Sequence, residues 1–107
     1  MFFNKSWFLM RMFITLRVWG VVMSSHKLLL PPGSKALLMG NEAIARGAIE
    51  ASVKVVSGYP GTPSSEVIMS LSEVANELGI YVEWATNERV GFEICLGASF
   101  AGIRSLC

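Results

Sequence analysis

Two short stretches carry residue types at spacings that can do chemistry. The first is Gly58-Tyr59-Pro60-Gly61-Thr62-Pro63-Ser64-Ser65-Glu66, reached from an apolar run and followed by a helical pattern. Gly58 and Gly61 permit close backbone approach, while Pro60 and Pro63 fix φ and remove two N–H donors, which stiffens the turn. Thr62 reads as an N-cap with Pro63 at the first helical position, and Ser64 and Ser65 add hydroxyls beside the free N–H groups that follow. A helix opening of this kind favours a carboxylate or phosphate, because its dipole and orphan donors point at the ligand. An ordinary strand-to-helix turn uses the same residues, so composition leaves both readings open. The second stretch, Ala85-Thr86-Asn87-Glu88-Arg89, leaves a strand pattern and starts a helix. It therefore stands at the carboxyl end of a strand, where open α/β sheets bind ligands. By its position alone Glu88 is a helix-start acid that suits the dipole.

The elements that must position these residues alternate. Residues 35–39 form a short apolar run, a strand or an extended lead-in, and Asn41 is a suitable N-cap with Glu42 in the first turn. Ala43, Ile44, Gly47, Ala48 and Ala51 make a stripe of mostly small residues at helical spacing. Residues 53–56 read as a buried strand. Val67, Ile68, Leu71, Val74, Ala75 and Leu78 recur at offsets of three and four, one face of a helix closed by Gly79. Residues 80–84 are β-branched and aromatic, a strand. Asn87 caps the next helix, whose apolar face is Val90, Ile94, Ala98 and Ala101, with Gly91, Gly97 and Gly102 allowing close packing. A further strand begins within 103–107. Alternation of this kind predicts an α/β fold, a parallel sheet with covering helices.

The totals bound the answer. One small domain is the most that 107 residues can make. At 52% hydrophobic, the chain has apolar surface that expects a cover. Five bases and no acid precede Asn41, and eight glutamates stand against four bases after it. The bases are few and scattered, which excludes a nucleic-acid patch. Cys95 and Cys107 make no C-x-x-C pair, so no zinc site or iron–sulfur cluster is built from this chain, and cysteines without a framework fit a reducing cytoplasm. His26 is the lone histidine and reads as solvated. Residues 1–33 are rich in Phe, Met and Trp; Lys5, Arg11 and Arg17 interrupt them too often for a membrane span or a signal peptide. Apolar residues on all sides also argue against a surface amphipathic helix. They read as a basic, apolar extension from an upstream start, ended by Pro31, Pro32 and Gly33, leaving 34–107 as the domain.

The run GNEAIARGAIEASVKVVSGYPGTPSSEVI followed by GIYVEWATNERVGFEICLGASFAG resembles the start of the 2-oxoacid:ferredoxin oxidoreductases. Within that family it is most similar to the large (alpha) subunit of the indolepyruvate branch. The resemblance runs from Lys35 to the end of the chain, with both motifs in order. It implies a truncated, parallel-sheet, pyrimidine-side domain for thiamine diphosphate. In the family, the glutamate matching Glu88 faces N1′ of the aminopyrimidine ring, a contact that works best in an apolar pocket; Val90 and Phe92 are candidates for its walls. The threonine matching Thr62 lies near the substrate carboxylate, and Tyr59, Pro60 and Gly61 shape the cofactor pocket. Glycine at 61, where pyruvate-using relatives carry a bulkier residue, leaves room for a larger substrate. The family uses a 2-oxoacid, coenzyme A and ferredoxin, and a second (beta) subunit. Its Mg²⁺ and [4Fe–4S] sites require aspartate and cysteine motifs that this chain does not contain, so the chain alone is expected to be inactive. Another substrate branch (pyruvate, 2-oxoglutarate or a branched 2-oxoacid) and a non-catalytic, partner-binding remnant are the alternatives.

Overall fold

A computed structural model describes residues 26–107; the expectations for 1–25 lie outside the described residues. The chain divides into two compact units, one ending at Ala36 and the other spanning Leu37–Cys107. The described part of the first holds a single 3-10 turn, Lys27–Leu29, where the Leu28 N–H donates to His26 Nδ1 at 3.3 Å.

The second unit carries three strands and three helices in alternation. They are α1 (Gly40–Glu50), β1 (Val55–Gly58), α2 (Ser65–Leu78), β2 (Tyr81–Trp84), α3 (Glu88–Phe100) and β3 (Ser105–Leu106). The sheet is parallel, in the order β2-β1-β3. Its register pairs Val55 with both Tyr81 and Ser105, and Gly58 with Trp84. Successive strand side chains point to opposite faces; Val56 and Ser57 are both fully buried, so β1 is covered on both sides. A central parallel strand is expected to be buried in this way.

The expected elements are present, with shifts that have physical causes. Residues 35–39 make no strand, and Leu37 is 97% exposed. β1 begins two residues later than the apolar run suggests and ends on Gly58, inside the first motif. The face of α2 is as read, with Val67, Ile68, Leu71 and Val74 buried, and Gly79 closes it in the left-handed region at φ 61°. On α1 the buried face is Glu42, Ala45 and Ala48, whereas Ala43, Ile44, Gly47 and Ala51 are exposed. The helix can turn its acid inward because Glu42 Oε2 accepts the Met39 N–H at 2.9 Å, satisfying the carboxylate locally. On α3 the buried residues are Gly91 and Cys95; Val90, Ile94 and Ala98 are half-buried and Ala101 is exposed.

Two helix ends are closed by bases from elsewhere in the chain. Lys54 Nζ donates to the Leu78 carbonyl at 2.7 Å and Arg104 Nη1 to the Ala51 carbonyl at 2.5 Å, each placing a cation at the negative end of a helix. No helix among the described residues is long and apolar enough to cross a membrane.

Cys95 is buried, and its thiol donates to the Leu106 carbonyl at 3.1 Å, tying α3 to β3. Burial pushes its pKa above the ordinary thiol value. Folding thus favours the neutral thiol. The stability this contributes is complete below the ordinary thiol pKa and is lost as pH climbs through the raised one. Alkylation with iodoacetamide at mildly alkaline pH should modify exposed Cys107 at least about ten times faster than Cys95, with equal rates after denaturation. Equal rates in the folded chain would show that the Cys95 site opens freely.

Candidate functional site

At the carboxyl ends of β1 and β3 lies a cavity of about 420 Å³. Its floor is the end of β1, Gly58 and Tyr59; one wall is Asn41 and Ile44 of α1. Pro63 and Ser64 from the turn, with Val67 and Ile68 from the first turn of α2, form a second wall. Leu106 ends β3 and Cys107 follows it, and Glu88 stands at the start of α3. None of these lining residues is Lys, Arg or Asp, and Glu88 is the acidic side chain among them. Among the described residues no group of three or more His, Cys, Asp or Glu is placed to hold a metal ion.

Glu88 reaches this wall through its cap. Asn87 is fully extended (φ −162°, ψ 171°), and its Oδ1 accepts the Val90 N–H at 2.9 Å, as its place before the helix suggested. That bond makes Glu88 the first residue of α3. Neighbouring Arg89 turns away to pair with Glu93 at 2.8 Å along the exposed side of the helix. Val90 and Phe92, expected as pocket walls, do not line the cavity; Phe92 is 57% exposed.

The turn closes on itself. Gly61 donates its N–H to Ser65 Oγ at 2.8 Å, and its carbonyl accepts the Ser64 and Ser65 N–H groups, both at 3.1 Å, and the Ser65 hydroxyl at 2.9 Å. With the Ser65 hydroxyl folded back onto Gly61, α2 begins at Ser65 and its N-cap position is Ser64. The expected capping role of Thr62 is therefore not observed. Of the residues expected to shape a site, the structure puts Glu88 and Tyr59 on one cavity. Pro60, Gly61 and Thr62 belong to the same turn but are exposed and off its wall. A Cβ at Gly61 would meet only the Tyr59 carbonyl, at 3.9 Å.

One feature escaped the sequence reading. Asn41 does not cap α1, whose N-cap position is Met39. Its Nδ2 instead donates to the Pro63 carbonyl at 2.7 Å and to Glu66 Oε2 at 3.0 Å, across to the turn. Gly58 is wedged between helices. A Cβ there would stand 2.6 Å from Ile68 Cδ1, and a Cβ at Gly91 would stand 3.1 Å from Gly58 Cα. Close approach is thus met at Gly58 and Gly91 as expected, whereas a Cβ at Gly97 or Gly102 would meet nothing within 4 Å; that Gly58 and Gly91 meet each other follows only from α3 crossing β1.

Comparison with known proteins gives a family and a set of relatives. The family model described as pyruvate flavodoxin/ferredoxin oxidoreductase, thiamine diphosphate-binding, matches residues 46–107. An indolepyruvate oxidoreductase subunit IorA from Pyrococcus horikoshii is 52% identical over 75 residues, 70% of this chain and 12% of that protein. The same subunit from Archaeoglobus fulgidus is 50% identical over 78 residues, 69% of this chain and 12% of that protein. A 2-oxoglutarate synthase subunit KorA from Archaeoglobus fulgidus is 39% identical over 66 residues, 62% of this chain and 19% of that protein. The chain thus spans 12% of the length of the IorA relatives. No solved structure matches.

Proposed function

Because the chain belongs to the thiamine diphosphate-binding family of pyruvate flavodoxin and ferredoxin oxidoreductases, we propose that it forms the pyrimidine-side part of an oxidoreductase acting on an arylpyruvate. The substrate class follows the higher identity to indolepyruvate oxidoreductase subunits, 52% against 39% for the 2-oxoglutarate synthase subunit. The observation that carries the reading is Glu88, an acid at the start of α3 on an otherwise largely apolar cavity.

The wall fits one half of the cofactor. An aminopyrimidine ring needs a carboxyl to share a proton with one ring nitrogen and apolar surface against its faces; Glu88 offers the first, and Ile44, Val67, Ile68 and Pro63 the second. The diphosphate half finds no cation or aspartate on this wall. Its Mg²⁺, the [4Fe–4S] centre, and the docking of coenzyme A and ferredoxin belong to other parts of the assembled enzyme, the beta subunit included. When bound, thiamine diphosphate supplies the carbon nucleophile and the electron sink for decarboxylating a 2-oxoacid. The part of this chain is narrower. Glu88 holds a proton at the ring nitrogen, Tyr59 and Pro63 line the same cavity beside that contact, and the Thr62 hydroxyl meets the substrate carboxylate at the rim, next to Pro60 and Gly61. The site of action is the cytoplasm.

A graft tests the proposal. Residues of this chain replace the 75 they match in the Pyrococcus horikoshii subunit, and the assembled enzyme is assayed with indolepyruvate, pyruvate and 2-oxoglutarate. Coenzyme A-dependent reduction of ferredoxin, fastest with indolepyruvate, is expected. Preference for 2-oxoglutarate or pyruvate would move the chain to another branch. A folded, assembled but inactive graft would favour a partner-binding remnant, a reading to which exposed Leu37 and Phe100 (97% and 83%) lend support.

A further inference from the structure

We propose that Asn41 is a positioning residue of this site, holding the turn after β1 against the start of α1 and so setting the cavity wall that faces Glu88. The inference rests on reading that cavity as the pyrimidine site. Asn41 is half-buried, lines the cavity, and sits one residue inside α1. Its amide nitrogen spends one hydrogen on the turn, at the Pro63 carbonyl (2.7 Å), and the other on Glu66 Oε2 in the first turn of α2 (3.0 Å). The bond to a carboxylate is the stronger kind.

The turn's other hydrogen bonds are local: the N–H groups of Gly61, Ser64 and Ser65 and the Ser65 hydroxyl all bond within Gly61–Ser65, and the Ser64 carbonyl accepts the Val67 N–H of α2 at 3.0 Å. Such a loop has a defined shape but no fixed place. Its placement comes from β1 at one end, α2 at the other, and the Asn41 amide in between. Pro63 and Ser64, the turn residues on the wall, flank the carbonyl that Asn41 holds. Releasing it lets that wall move as a unit while the sheet stays intact.

The test uses the full 107-residue chain. Asn41→Asp keeps the shape, removes both donors and sets a carboxylate against Glu66. Adding Glu66→Gln puts a donor back across the same gap with its polarity reversed. Two readouts are followed by NMR: amide exchange at Gly61, Ser64 and Ser65, and amide shifts at Tyr59 and Glu88 as thiamine diphosphate is titrated to millimolar concentration. In Asn41→Asp, exchange in the turn should rise about five- to tenfold and thiamine diphosphate affinity should fall by a similar factor. Exchange at Cys95 in α3 should stay unchanged. The double variant should recover a large part of both. Unchanged turn exchange, or a rise spread evenly over the domain, would overturn the proposal. Looser exchange with unaltered affinity would do the same, leaving Asn41 a structural link alone. No shifts in the parent chain would overturn the reading of the cavity and the proposal with it, a result distinguishable from failure of the variant.

Discussion

Replacing Glu88 by Gln in the grafted subunit should lower turnover of the 2-oxoacid by about 10²- to 10⁴-fold, the range that a positioned acid or base contributes. Gln keeps the size and hydrogen-bonding capacity of the side chain but cannot hand a proton back and forth. The effect on folding should be small. Glu88 is exposed at the first position of α3, where a charge complementing the helix dipole is worth about 0.3–1 kcal/mol. The Asn87 cap, which sets the direction of the helix, does not involve the Glu88 side chain. Activity and stability should therefore separate: kcat collapses while the denaturation midpoint hardly moves. Turnover within a few-fold of the parent would remove Glu88 from the chemistry and leave it as a helix-start acid.

Gly91→Val should destabilise the domain by about 2–3 kcal/mol, the cost of forcing extra carbon into a packed contact. A Cβ at position 91 would lie 3.1 Å from Gly58 Cα, 3.4 Å from Gly58 N and 3.5 Å from the Ala85 Cβ. Two of those three atoms are backbone of the central strand, so relief requires α3 and β1 to separate. Gly97, six residues along the same helix, is the control: a Cβ there meets nothing within 4 Å. Gly97→Ala should stabilise by up to about 1 kcal/mol, through helix propensity alone. Urea denaturation of both variants decides the matter, and equal shifts at the two positions would refute the close contact. Because Gly58 opens the turn and Glu88 lies one helical turn before Gly91, a Gly91→Val graft should also lose activity.

The alternation of elements was legible because it is written in local signals. Gly79 ends α2 in the left-handed region, and Asn87 starts α3 with the bond its side chain is suited to make. The apolar face of α2 followed from three-and-four spacing because nothing but packing dictates it. Where a residue had two local options, sequence reading took the nearer one. Thr62 and Asn41 are both good caps by type, yet Ser65 closes the turn on Gly61, and the Asn41 amide reaches a partner 22 residues away. The stripe on α1 was misjudged for a similar reason: an inward-facing glutamate is implausible until the Met39 N–H that satisfies it is known.

The sequence by itself determined the α/β alternation, the family and the two stretches that carry its motifs. These rest on spacing and residue type, which the chain states directly. Only the tertiary structure decided that Glu88 and Tyr59 share a cavity whose remaining walls include Ile44, Ile68 and Leu106, that Thr62 stands off it, and that Gly58 and Gly91 touch. Each of those depends on which helix crosses which strand and at what depth. That is set by the summed packing of residues far apart in the chain, and no local pattern encodes it.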